Sequence, residues 1–195
     1  MATQQNAVDL VDGDVVRQFA RAAVLAALIG VLGAIQIPYP LSPAPITLQV
    51  LFVFLAGLVL GPVWGTASIT LYLAAGAVGA PVFSGWEPGL GPLLGQTGGF
   101  LWSYPLAAGL IGLVVHRGTD LRDPASVPLP IVVGALVAGT VLVYAMGAGY
   151  AAWLLALEPW EAIAVFALPF IPAELLKMAA AIAIVKSGRI EPVQS

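Results

Sequence analysis

The chain has 195 residues, of which 60% are hydrophobic and only 9% charged, and a formal net charge of −3. Its mean hydropathy is +0.99. A soluble domain carries roughly 25% charged residues to cover its surface, so this chain cannot solvate a globular exterior, and its exterior must face lipid. Cysteine is absent, which excludes disulfides and thiol chemistry, and the seven Lys and Arg residues form no basic patch for nucleic acid.

Residues 1–15 are polar and acidic, with Asp9, Asp12 and Asp14, and a full-length apolar run follows them. A cleavable signal peptide needs a positive start and a short apolar region, so this segment is expected to be a cytoplasmic tail. The membrane domain is expected over 16–187, with a second cytoplasmic tail at 188–195. Apolar segments at 16–35, 46–60, 62–78, 97–116, 128–157 and 160–185 predict an all-α protein of six transmembrane helices. Each helix satisfies its own backbone, as lipid requires. The second and third are short and separated only by Gly61-Pro62. A tight helical hairpin accounts for that pair, with Pro62 in the first turn of its helix.

Charge sets the orientation. Arg17 and Arg21 precede the first segment, Arg117 and Arg122 lie between the fourth and fifth, and Lys186 and Arg189 follow the sixth. The other loops contain no Lys or Arg, so the positive-inside rule places both termini in the cytoplasm. Two outer loops are unusual. One holds Pro38, Pro40, Pro43 and Pro45 around Tyr39, a density that stiffens the chain and is expected to prevent regular structure. The other, 80–96, carries Gly85, Gly89, Gly91 and Gly95 beside Trp86. Glycine there permits close backbone approach to a ligand. Both loops read either as simple connectors or as a rigid lid over the bundle.

Glu174 and Lys177 are three apart on the sixth segment and share a face. Lys177 lies nine residues before Lys186, about 13 Å deeper at 1.5 Å per residue. Ionisable groups at that depth face a bundle interior, a cavity or a partner. They read either as an ion pair holding the helix in register or as a site for a polar ligand with both donors and acceptors. Pro169 and Pro172 can open the helix beside them and free carbonyl groups. Gln96 and Thr97 stand before the fourth segment, with Thr97 a candidate N-cap, and Thr47 and Gln49 open the second in the same way. The first segment carries Ala22, Ala26, Gly30 and Ala34 at every fourth position, a stripe that permits close helix contact inside the bundle or with another protein. His116, the single histidine, ends the fourth segment with no obvious partner. No phosphate loop, metal-ligand cluster or catalytic nucleophile is recognisable, so an enzyme is not expected, and neither is a cofactor. Energy for any active transport must come from another subunit.

Several stretches together resemble the BioY family of biotin transporters. They are Pro43-Ala44-Pro45-Ile46-Thr47-Leu48-Gln49, Leu55-Ala56-Gly57-Leu58-Val59-Leu60-Gly61-Pro62, Leu94-Gly95-Gln96-Thr97-Gly98-Gly99-Phe100, and Leu168-Pro169-Phe170-Ile171-Pro172-Ala173-Glu174-Leu175-Leu176-Lys177. The resemblance runs in order from the first segment to the sixth. It implies an S-component of an energy-coupling factor (ECF) transporter in the cell membrane. Such a subunit captures biotin, while a transmembrane coupling subunit and two ATPases drive uptake. It also implies that Glu174 and Lys177 hold the ureido head; Gln96, Thr97, Thr47, Gln49, Tyr39 and Trp86 are further candidate ligand contacts from the residues themselves. Ala22, Ala26 and Gly30 would dock on the coupling subunit. The sequence departs from the family pattern at Glu174, where aspartate is expected, at Gln96, where proline is usual, and at Phe100, where tyrosine is common. Two alternatives stay open here: an S-component for another vitamin such as thiamine or riboflavin, and a stand-alone secondary biotin transporter.

Overall fold

The computed structural model describes residues 13–188, so the tail positions 1–12 and 189–195, with Asp9, Asp12 and Arg189, lie outside the described residues. Helix α1 spans Gly13–Gly33, starting three residues ahead of the expected boundary at 16, and α2 spans Gln49–Ala77. Then come a short α3 (Gly91–Leu94), α4 (Gly98–His116), α5 (Leu129–Leu155), α6 (Pro159–Phe166) and α7 (Ile171–Lys186). Among the described residues, α1, α2, α4, α5 and the stretch Pro159–Lys186 are five elements long and apolar enough to cross a membrane. The surface is apolar as composition requires: Phe19, Trp153, Trp160 and Leu176 are all exposed. In water such a surface would drive aggregation, whereas in lipid it is the solvated face.

The expected hairpin is present inside α2. Gly61 adopts φ 73 and ψ −173, and Pro62 follows it. Glycine reaches that left-handed φ without a Cβ clash, and Pro62 has no N–H to continue the preceding helix. The arms on either side lie against each other. Gln49 Nε2 donates to the Tyr72 hydroxyl at 2.8 Å although the two are 23 residues apart. In an unbroken helix they would be about 34 Å apart. Close approach depends on small residues: a Cβ added at Gly65 would lie 2.6 Å from the Ala56 carbonyl oxygen of the other arm, and one at Gly57 would lie 2.6 Å from that of Ala108.

Three expectations change. The proline loop is not wholly irregular: strands β1 (Gln36–Ile37) and β2 (Ile46–Thr47) pair antiparallel across its base, with Gln36 opposite Thr47. The prolines fall between the strands, where their missing N–H groups cost no ladder bond. His116 does have partners. Its Nδ1 accepts from the Arg122 N–H at 3.0 Å, so Nε2 bears the proton and donates to the Leu58 carbonyl at 3.1 Å. It thereby ties α4 to the first arm of α2. Finally, Ala22, Ala26 and Gly30 lie on the buried face of α1. The Ser68 hydroxyl donates to the Ala22 carbonyl at 2.7 Å, and a Cβ at Gly30 would meet Val82 at 3.1 Å. The close helix contact that this stripe permits is made with the chain's own α2 and outer loop. Among the small residues of α1, Ala20 and Ala27 are exposed and Ala23 is half-buried.

At the end of α7, Lys186 Nζ donates to the carbonyls of Ala125 and Val127 at 2.7 and 2.6 Å. The basic loop after α4 and the basic end of α7 therefore share one end of the bundle. The paired strands and the glycine loop lie together at another surface, joined by Ser84, whose hydroxyl donates to Gln36 Oε1 at 3.2 Å.

Candidate ligand-binding site

A cavity of about 320 Å³ opens between the proline and glycine loops and the helices, at the small end of the ~300–1,000 Å³ usual for small-molecule sites. Its buried end is built by α7. The preceding chain breaks at Ala167, passes through a 3₁₀ turn (Leu168–Phe170) and restarts as α7 with Pro172 in its first turn. The break leaves the Pro169 carbonyl free to accept the Tyr39 hydroxyl at 3.2 Å. It also sets Glu174 in the first turn of α7, where the helix dipole favours a carboxylate.

Glu174 and Lys177 are 3% and 7% exposed. Lys177 Nζ donates to Glu174 Oε1 at 2.7 Å, and the Tyr144 hydroxyl donates to the same oxygen at 3.0 Å. The second carboxylate oxygen, Oε2, is buried with no protein partner. Unpaired buried acceptors cost about 1–3 kcal/mol, more when charged. The arrangement is therefore half satisfied: one oxygen has two donors and the other has none.

A second polar cluster lies across the cavity on Gln49, which is 4% exposed. Gln49 Oε1 accepts from the Thr47 hydroxyl at 3.2 Å and the Tyr104 hydroxyl at 3.4 Å, while Nε2 reaches Tyr72. Between the clusters the walls are aromatic. Phe100 meets Tyr144 edge-on with centroids 5.7 Å apart, and Tyr144 and Phe170 are 6.3 Å apart. Such a slot takes a compact head with N–H donors and a carbonyl acceptor, followed by an apolar body.

Six residues singled out from the sequence line this cavity: Glu174, Lys177, Gln96, Thr97, Thr47 and Gln49. Two do not. Tyr39 packs behind Phe170, with ring centroids 5.6 Å apart, and holds the helix break rather than the cavity. Trp86 is half exposed, at φ 63, while its neighbours Ser84 and Glu87 reach the lining. Thr97 stands at the N-cap position of α4, but its side chain makes no capping bond. Tyr104 and Tyr144 also line the cavity and are not among the residues expected there. Each shares its apolar segment with other hydroxyl residues, Ser103 for Tyr104 and Thr140 and Tyr150 for Tyr144, so nothing local marks it as facing the cavity.

The chain is similar to known proteins along most of its length. The BioY family matches residues 2–192 of the chain. The "Biotin transporter BioY" of Thermotoga maritima is 37% identical over 165 residues, covering 85% of this chain and 91% of that protein. The "Biotin transporter BioY" of Rhodobacter capsulatus is 39% identical over 169 residues, covering 77% of this chain and 85% of that one. A crystal structure described as the S-component for biotin from an ECF-type ABC transporter superposes with a TM-score of 0.81 at 26% identity, covering 93% of this chain and 95% of that chain. On the family match and on relatives above 30% identity along most of its length, this chain belongs to the BioY family.

Proposed function

We propose that this protein is the biotin-binding S-component of an ATP-driven ECF vitamin importer. As a BioY family member with five long apolar elements, it is a multi-pass protein of the plasma membrane. The observation that carries the ligand reading is the buried end of the cavity, where Glu174 Oε2 has no protein donor and Lys177 stands at the other oxygen. The ureido group of biotin offers two N–H donors and a carbonyl. Glu174 Oε2 accepts an N–H, Lys177 donates to the carbonyl, and the aromatic walls take the thioether ring and valeryl chain. Relatives named as biotin transporters support the same ligand. In the proposed assembly the protein captures biotin without hydrolysing ATP, and a coupling subunit with two ATPases supplies the energy. The test is displacement of labelled biotin from purified protein. Unlabelled biotin should displace it and thiamine and riboflavin should not; displacement by either of those vitamins would reject the assignment.

The membrane arrangement we propose counts the two arms of α2 separately, giving six spans with both termini cytoplasmic. The hairpin contact between Gln49 and Tyr72 and the shared position of the basic segments support it. Single cysteines replacing Ser42, Glu87, Arg122 or Ser195 test it, Ser195 lying outside the described residues. An impermeant thiol reagent applied to intact cells should label the first two and spare the others. Labelling at 122 or 195 would contradict the arrangement.

A further inference from the structure

Charge is distributed unevenly along the cavity. Its buried end holds Glu174 and Lys177, joined at 2.7 Å, and these two charges offset each other. Its outer end is bordered by Gln36, Glu87 and Gly91, all exposed. Among the described lining residues Lys177 is the one cation, against two acids, Glu174 and Glu87, which leaves a net charge of −1. A carboxylate arriving at the outer end therefore meets no cation, and meets the carboxylate of Glu87. Of the neutral groups there, the start of α4 at Gln96 and Thr97 favours an anion, with about half an elementary charge that the full charge of Glu87 opposes. The Ser84 hydroxyl donates to Gln36, and the amide of Gln96 serves an amide carbonyl as readily as a carboxylate.

We propose that the site recognises the ureido head and apolar body of biotin and needs no negative charge on its tail, so that biotin amides with neutral or cationic tails also bind. The inference rests on the biotin reading of the same cavity and deepens it. The valeryl chain ends among exposed residues beside Glu87, and the small cavity forces any longer tail outward there. Glu87 is then a specificity-determining residue. It lowers affinity for the anionic tail relative to the cationic one, across a distance that salt screens within about 8 Å at physiological ionic strength.

The experiment is equilibrium competition against labelled biotin on the purified full chain. The competitors are biotin, biotinamide, the mono-amide of biotin with ethylenediamine, and lipoic acid, which keeps the valerate but lacks the ureido group. Both amides should compete within tenfold of biotin, and lipoic acid should not compete. Glu87→Gln should shift the preference between the cationic amide and biotin by about 2- to 5-fold towards biotin, more at low salt, the size expected for an exposed charge pair. If biotin binds but the amides are more than tenfold weaker, Lys177 is reading the carboxylate and the inference is wrong while the biotin reading stands. An unchanged preference in Glu87→Gln overturns the role of Glu87. Failure of biotin itself to bind overturns the underlying reading.

Discussion

Replacing both members of the buried pair, as Glu174→Leu/Lys177→Met, should leave a folded protein that binds biotin at least ~100-fold more weakly. The estimate follows from two hydrogen bonds to charged groups, each contributing about 1.5–3 kcal/mol, with every 1.4 kcal/mol a factor of ten. The double change is more informative than either single one. Removing one partner leaves the other as an uncompensated buried charge, which costs about 3–5 kcal/mol, whereas apolar replacement of a whole pair is often neutral or stabilising. Glu174→Ala and Lys177→Ala are each expected to weaken binding roughly 10-fold or more and also to lower thermal stability. The comparison needs a melting temperature in detergent beside each binding isotherm. A double variant that melts like the parent and binds like it would remove the pair from the binding site.

The second large effect separates capture from uptake. The face first expected to meet the coupling subunit, Ala22, Ala26 and Gly30, is packed against α2 and the outer loop. Ala26→Trp is therefore expected to overfill the core and to lose folding and biotin binding together. The proposed docking face moves to the exposed small residues of the same helix, Ala20 and Ala27, beside the half-buried Ala23. Side chains of that size let another helix approach closely, and dispersion then supplies the association that lipid does not. Ala27→Trp should bind biotin as the parent does, fail to co-purify with the coupling subunit, and lose ATP-dependent uptake. Normal uptake by Ala27→Trp would remove this face from the docking surface.

What the sequence made legible follows from which interactions are local. The apolar runs located α1, α2, α4 and α5 within a few residues because lipid requires a continuous self-satisfied backbone, whereas the sixth run, 160–185, is broken into α6 and α7. Gly61-Pro62 marked the hairpin because those two residues cannot continue a helix. Glu174 and Lys177 were visible because charge within a span is rare. Other features were not local. Gln49 meets Tyr72 and Tyr104 only after the hairpin closes against α4. Tyr144 reaches Glu174 from 30 residues away. The inward rotation of the Ala22 stripe could not be read from a helix whose small residues occur on both faces. His116 found its partners in a carbonyl and an N–H, which no side-chain pattern announces.

The central claim is that the unpaired oxygen of Glu174 and the ammonium of Lys177 hold the ureido head of biotin. A structure of the purified protein with biotin bound tests it most directly. A ureido nitrogen should lie about 2.7–3.0 Å from Glu174 Oε2, the range of charge-assisted hydrogen bonds. The ureido carbonyl should face Lys177, with the valeryl chain running outward towards Glu87. Biotin seated with its carboxylate on Lys177, or bound away from α7, would contradict the account.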